Sequence, residues 1–124
     1  LRDGNIPETG TLLQAGITQI KKTGADVLLI DPQFAPRVNA KPGVSEMVGL
    51  IAYVAKQSHV PVFRRYVAMR HWHEDQAIAF DRFITADGLH MNDWGYSCLA
   101  RLLADNITAT VARSRTVAGA RPFQ

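Results

Sequence analysis

The chain has 124 residues, of which 47% are hydrophobic and 20% are charged, a composition typical of one soluble globular domain with a real core. No apolar run approaches the roughly 18 residues that a membrane span requires, so we predict that the chain is not transmembrane. The formal net charge is +3, but the basic residues are scattered and not interleaved with aromatic residues, which argues against nucleic-acid binding.

The first third of the chain has the pattern of a helix followed by a buried strand. Residues 8–23 carry apolar side chains on one helical face, and Gly24 ends this predicted helix. The short apolar run at residues 26–31 predicts a strand that is buried on both faces. Pro32 ends the strand, because proline cannot donate a ladder hydrogen bond.

A second helix and a second strand follow. Residues 33–43 read as a loop, and apolar residues at helical spacing predict a helix over residues 44–58. Residues 62–63 begin a second strand that extends towards Val67. Since a helix connects the two strands, we expect them to be parallel, with a right-handed crossover.

The second half of the chain is mainly irregular until its last helix. We predict an irregular polar segment over residues 66–76 and a short helix over residues 77–83. The last helix is predicted over residues 93–112, with Asn92 as its N-cap. Residues 114–124 read as a flexible basic tail.

The order of elements, α-β-α-β-α, predicts an α/β fold in which helices flank a parallel sheet. A sheet of two strands is too narrow for a stable isolated domain, because both strands would be edge strands that can pair with another chain. We therefore expect residues 1–113 to be the C-terminal portion of a larger α/β domain. Its other strands would come from a segment upstream of Leu1 or from a second chain.

The chemistry of the chain is concentrated in Asp87-Gly88-Leu89-His90. Gly88 allows a tight turn, so the Asp87 carboxylate can reach the imidazole of His90. An acid in that position fixes the tautomer of the ring and stabilises the imidazolium, as in a Ser-His-Asp triad. In the alternative interpretation, Asp87 caps a turn and His90 is a half-buried surface residue.

The segment Ala86-Asp-Gly-Leu-His-Met-Asn-Asp-Trp-Gly-Tyr96 resembles the last block of the SGNH, or GDSL-type, hydrolases. In that family, an Asp-x-x-His on the loop before the final helix supplies the acid and base of a catalytic triad. The resemblance implies a three-layer, flavodoxin-like α/β fold with Asp87 and His90 as catalytic residues. It also implies a cofactor-free serine esterase, of lipase or carbohydrate O-acetyl esterase type, that acts on small-molecule, lipid or acylated carbohydrate esters.

A weaker match covers residues 25–33, where the family has a buried strand that runs into Gly-x-Asn-Asp. Gln33 stands where the family places the Asn that holds the oxyanion, and Asp31 stands where the family has Gly. The Gly-Asp-Ser nucleophile block of the family has no counterpart here. We therefore expect the serine upstream of Leu1 and an inactive 124-residue chain. Many relatives are exported, which favours an exported or periplasmic location.

Three residues after the second strand are candidates for the substrate side of the site, namely Tyr66, His71 and Trp72. A solvated loop explains Tyr66 and His71 nearly as well, and Trp72 either contacts substrate or packs on the core.

Two rival functions remain open. In an extended segment, His71 and His73 would share one face and could form a zinc-like site with Glu74 or His90. Alternatively, the domain binds an acylated carbohydrate or a protein partner without cleaving it.

Overall fold

The computed structural model of the protein describes the backbone of residues 5–119 and the side chains of residues 5–113. Within this range the chain is mixed α/β and mostly helical, which confirms the predicted class at that level. Its elements, in chain order, are α1 (Ile6–Lys22), β1 (Leu29–Ile30), α2 (Pro36–Asn39), α3 (Val44–Gln57), β2 (Val62–Phe63), α4 (Arg65–Glu74), a 3-10 turn (Phe80–Arg82) and α5 (Asp93–Gly119).

The two strands pair in parallel, as predicted from the helix that connects them. Leu29 lies opposite Val62, and Ile30 lies opposite Phe63. Within residues 5–119 no further strand lies beside either of them, so each strand has an open edge. The expectation that β1 is buried on both faces is wrong for Ile30, which is 45% exposed because the described residues do not cover it.

The narrow sheet separates two apolar clusters, because successive strand residues point to opposite faces. Leu29 and Val62 pack against the cluster formed with α1 and α3 (Ile17, Val54, Ala55, Val60). Phe63 belongs to the larger cluster, which extends to α4, the 80–84 segment and α5 and includes Met69, Trp72, Phe83 and Leu99. Helices α1 and α3 therefore share one core, while the segment that carries the Asp-His turn is packed on the other.

Helix α4 corrects the prediction of an irregular segment over residues 66–76. Its first turn is stabilised by a distant residue, since the carboxylate of Asp31 accepts the backbone N–H of Tyr66 at 2.8 Å. Met69 and Trp72, three residues apart, are buried on one face of the helix. The Asp31 carboxylate pairs the Tyr66 N–H, which has no partner within the helix. The buried side chains of Met69 and Trp72 pack on the core and stabilise the helix, although the polar composition of the segment did not indicate a buried face.

Smaller boundaries also differ from the predictions, and the first strand, predicted over residues 26–31, covers only Leu29–Ile30. The predicted loop over residues 33–43 contains the short helix α2, and the helix predicted over residues 77–83 shrinks to the 3-10 turn. Strand β2 ends at Phe63 and does not extend towards Val67, because α4 begins at Arg65.

Helix α5 begins as predicted, with the Asn92 side chain accepting the backbone N–H of Gly95 at 2.9 Å. It continues to Gly119, beyond the predicted end at residue 112. The last part of the predicted tail, residues 120–124, lies outside the described residues. Among the helices of the described part, none is both long and apolar enough to cross a membrane.

Candidate active site

The Asp-His turn is closed at its base by a small piece of antiparallel pairing. Ile84 and Met91 form an isolated antiparallel bridge, and both side chains are buried in the larger cluster. Above the bridge, the Thr85 N–H donates to the carbonyl oxygen of His90 at 2.8 Å. Below it, the Asn92 N–H donates to the carbonyl oxygen of Phe83 at 3.1 Å. The turn therefore projects from the core on two short chain segments, and these segments cannot separate without breaking the bridge and the two hydrogen bonds.

Gly88 lies in the tight turn that the sequence predicted, and its backbone is left-handed, with φ of +69°. A side chain at this position would be strained, and its Cβ would lie 3.4 Å from the Cγ of Arg37. The carbonyl oxygen of Gly88 accepts the backbone N–H of Arg37 at 3.0 Å. Glycine thus allows both the sharp reversal and the close approach of helix α2.

The carboxylate of Asp87 accepts four hydrogen bonds. Its Oδ1 accepts the Thr85 hydroxyl at 2.6 Å, the Leu89 N–H at 2.9 Å and the His90 N–H at 3.0 Å. Its Oδ2 lies 2.5 Å from Nδ1 of His90. Asp87 therefore caps the turn with one carboxylate oxygen and faces the imidazole with the other.

These donors hold the pKa of the Asp87 carboxyl well below its usual range. The Thr85 hydroxyl has the largest effect, followed by the His90 ring and the backbone N–H groups of Leu89 and His90. Hydrogen bonds to the ionised form favour that form. Asp87 is therefore a permanent negative charge beside His90 at neutral pH.

The imidazole of His90 is oriented on one side and open on the other. An ionised carboxylate only accepts hydrogen bonds, so Nδ1 carries the proton in the neutral ring and Nε2 is left as the basic nitrogen. The His90 side chain is 67% exposed, and that of Asp87 is 41% exposed. The neighbouring carboxylate therefore fixes the tautomer of the His90 ring and leaves Nε2 free of that contact.

Gln33 reaches the same turn from the loop after β1. Its Nε2 donates a hydrogen bond to the carbonyl oxygen of Leu89. Together with the bond from the Arg37 N–H to Gly88, this ties the loop after β1 to the Asp-His turn at two successive carbonyl groups. Gln33 therefore contacts Leu89, the residue that precedes His90.

Asp31, at the end of β1, is 1% exposed and joins the strand to α4. Its Oδ1 accepts the Tyr66 N–H, and its backbone oxygen accepts Nε of Arg65 at 3.0 Å. Its Oδ2 lies 3.8 Å from Nε of Arg64 and has no hydrogen-bond partner among the described atoms. Burial raises the pKa of Asp31, although the Tyr66 N–H and both arginines lower it.

The three proposed substrate-side residues have other contacts. Tyr66 packs edge-on against Phe34, with ring centroids 5.2 Å apart. Nδ1 of the exposed His71 lies 2.7 Å from Oδ2 of Asp75. Trp72 is buried and packs against aromatic rings of the core (Phe83 and Trp94). Trp72 therefore packs on the core, which is one of the two alternatives that the sequence offered for it.

The extended geometry on which the metal-site alternative rested is wrong, because residues 71 and 73 lie on helix α4. Residues two apart on an α-helix point about 200° apart, so His71 and His73 face different directions. The His73 ring stacks on Phe80 at 3.9 Å, and its Nδ1 lies 2.9 Å from the carbonyl oxygen of Ile78. Among the described residues, no group of three or more metal-ligating side chains is close enough to hold an ion.

Thr85 is the contact of this site that the sequence interpretation missed. A threonine two residues before an aspartate in a turn was a usable signal, since short hydroxyl and carboxylate side chains often bond within turns. It is a weak signal by itself, because the same spacing also occurs where no such bond forms.

Comparison with known proteins gives one result. Residues 1–113 match the family described as the Non-GDSL lipase-like family. No curated protein and no solved structure matches the chain. The family match agrees with the resemblance to GDSL-type hydrolases that residues 86–96 carry.

Proposed function

The chain belongs to the Non-GDSL lipase-like family, and we propose that it supplies the acid and the base of a serine-dependent acyl ester hydrolase. The family indicates a function related to hydrolysis. The observation that carries the finer proposal is the 2.5 Å contact between Oδ2 of Asp87 and Nδ1 of His90, with the rest of the ring exposed.

In this mechanism, Nε2 of His90 removes the hydroxyl proton of a serine as the serine oxygen attacks the ester carbonyl. The same nitrogen then gives that proton to the departing alkoxide, which leaves as an alcohol. A water molecule, deprotonated in turn by His90, releases the acyl group as a carboxylic acid and restores the serine. Asp87 stays ionised throughout and stabilises the imidazolium of each step.

Gln33 is proposed as an oxyanion donor. A side-chain amide carries two N–H groups, and the bond to Leu89 uses one of them. The second N–H would stabilise the negative oxygen of the tetrahedral intermediate. Removal of one such donor typically costs about 100-fold to 1000-fold in turnover.

The nucleophile is proposed to come from outside this chain. Among the described residues, the serine side chains lie at the two ends of α3 and within α5 (Ser45, Ser58 and Ser97), and none of their hydroxyls hydrogen-bonds His90. An upstream segment or a second chain would supply the serine. The same partner would add strands to the open edges of the sheet and so complete a three-layer α/β domain.

The test is hydrolysis of p-nitrophenyl acetate by two proteins, the 124-residue chain and a chain extended upstream of Leu1. We expect turnover from the extended chain only, abolished by His90→Ala and reduced about 10⁴-fold by Asp87→Asn, because the wrong tautomer then faces the serine. His59→Asn is the control, since His59 is exposed and Asn tolerates its positive φ of 51°.

Hydrolysis by the 124-residue chain that disappears in His90→Ala would contradict the external nucleophile. If neither protein turns over any aryl ester but both bind acylated carbohydrate, the chain is a binding module and the hydrolase proposal is wrong.

A further inference from the structure

Among the residues that the structure describes, the Thr85 hydroxyl is the one donor to Oδ1 of Asp87 that comes from outside the Asp87–His90 segment. The other two donors, the N–H groups of Leu89 and His90, belong to the turn itself and are expected in any turn of this kind. The hydroxyl bond is the shortest of the three, at 2.6 Å, and it ends on an ionised group. Such charge-assisted bonds are stronger than neutral ones.

The backbone of Thr85 is fixed independently of its side chain. Its N–H donates to the carbonyl oxygen of His90 at 2.8 Å, and its carbonyl oxygen accepts the N–H of Gly88 at 3.0 Å. These two bonds close the turn whatever side chain residue 85 carries. The Cβ of Thr85 is therefore held beside the carboxylate, and the hydroxyl that it carries donates to Oδ1 of Asp87.

We propose that Thr85 is a positioning residue, whose hydroxyl sets the rotation of the Asp87 carboxylate so that Oδ2 faces Nδ1 of His90. The terminal torsion of an aspartate is soft, so a carboxylate held only by backbone groups can rotate. With Oδ1 occupied by the hydroxyl, Oδ2 is directed to the ring. The consequence of this bond for catalysis rests on the proposed function, but the positioning itself does not.

Two readouts that need no turnover test the proposal on the full chain. The first is the pKa of the Asp87 carboxyl, followed by the ¹³C NMR shift of its carboxyl carbon. The second is the tautomer of the His90 ring, read from its two ¹⁵N shifts. In Thr85→Val, which keeps the shape and removes the hydroxyl, we expect the Asp87 pKa to rise and the fraction of Nδ1–H tautomer to fall.

Two further variants separate positioning from a general effect on the fold. Thr85→Ser keeps the hydroxyl and should restore both readouts. Thr18→Val is the matched control, because it removes a hydroxyl on the exposed side of α1 that donates to the carbonyl oxygen of Gln14 at 3.0 Å. This variant should change neither the Asp87 pKa nor the His90 tautomer. A folded Thr85→Val with the Asp87 pKa and His90 tautomer of the wild type would overturn the proposal.

If Thr85→Val does not fold, hydrogen exchange in the wild-type chain tests the proposal instead. We expect a bond of 2.6 Å to protect the Thr85 hydroxyl proton from exchange with solvent. If this proton exchanges as fast as the hydroxyl proton of Ser97, which is exposed on α5, the proposal is wrong. Failure of the proposed function has a different signature. The Thr85→Val shifts would then be observed although no protein hydrolyses an ester.

Discussion

Asp87 holds His90 by two separate hydrogen bonds, since Oδ2 lies 2.5 Å from the ring Nδ1 and Oδ1 accepts the backbone N–H at 3.0 Å. One carboxylate thus fixes both the backbone and the ring of the same residue. A rotation of the acid would disturb the turn and the imidazole together. The ionised form of Asp87 is therefore required for the local fold as well as for the proposed chemistry.

Asp87→Asn should remove an acid-sensitive part of the stability. The native pKa of Asp87 is lowered, mainly by the Thr85 hydroxyl, from an unfolded value of about 3.9. The carboxylate therefore stabilises the native state at pH values above the unfolded pKa, and this stabilisation is lost as the pH falls towards the native pKa. We expect the difference in unfolding free energy between wild type and Asp87→Asn to shrink below about pH 4 in urea titrations.

Asp26→Asn is the control for this measurement, because Asp26 is exposed in the loop before β1. Asp26→Asn removes the same formal charge at a position away from the turn, so the Asp87→Asn curve is compared with it. A difference for Asp87→Asn that stays constant from about pH 7 down to about pH 2 would show that the four hydrogen bonds do not stabilise the native carboxylate.

Gly95→Ala should disturb the start of α5 and, through it, the Asp-His turn. A Cβ at this position would lie 2.5 Å from the carbonyl oxygen of Phe83 and 3.3 Å from the Cβ of Met91. The carbonyl group is backbone and already accepts the Asn92 N–H, so it cannot move aside cheaply. We expect the unfolding free energy to fall by about 1–3 kcal/mol, measured by urea denaturation.

Gly49→Ala is the matched control in helix α3, where an added Cβ would meet no atom within 4 Å. Alanine is the better helix former, so this variant should gain up to about 1 kcal/mol. Equal stability of the two variants would contradict the close approach of α5 to Phe83.

The parts of the site that could be predicted from the sequence are those whose partners are near in the chain. Asp87, Gly88 and His90 lie within four consecutive positions, so the turn and the acid-imidazole contact follow from local geometry. The N-cap by Asn92 is equally local, with its acceptor bond to Gly95 three residues away. The parallel pairing followed from the helix between the two strands.

The parts that could not be predicted depend on distant partners. Helix α4 is capped by Asp31, which is 35 residues from Tyr66, and its polar sequence gave no reason to expect a buried face. The bond from Gln33 to Leu89 spans 56 residues. No pattern within one element reveals such contacts, so the sequence placed Trp72 and the two histidines of α4 in an irregular segment.

Gln33→Leu should loosen the Asp-His turn, because it removes the donor to the Leu89 carbonyl oxygen at similar side-chain size. We expect the backbone amide hydrogens of Leu89 and His90 to exchange faster with solvent, measured by NMR, and the unfolding free energy to fall by about 1 kcal/mol. Gln19→Leu, on the exposed side of α1, is the control and should leave these two amides unchanged. Unchanged exchange in Gln33→Leu would mean that the Gln33 amide does not hold the turn.

Asp31→Asn should show the opposite pH dependence to Asp87→Asn. Burial raises the native pKa of Asp31 above its unfolded value of about 3.9. The contribution of Asp31 to stability is then fully present below the unfolded pKa and is lost as the pH rises through the native pKa. Asparagine keeps an oxygen that can accept the Tyr66 N–H but does not ionise, so urea titrations should show wild type losing stability relative to Asp31→Asn as the pH rises.

Asp31→Ala is the companion variant, because it removes the acceptor for the Tyr66 N–H and should be less stable than Asp31→Asn at every pH. The pH dependence of wild type relative to Asp31→Asn shows which of two effects on the Asp31 carboxylate is larger: burial, or the charges of Arg64 and Arg65. If wild type gains stability relative to Asp31→Asn as the pH rises, the charges of Arg64 and Arg65 outweigh burial. Asp31 would then join β1 to α4 as an ion pair and not as a buried acid that favours its proton.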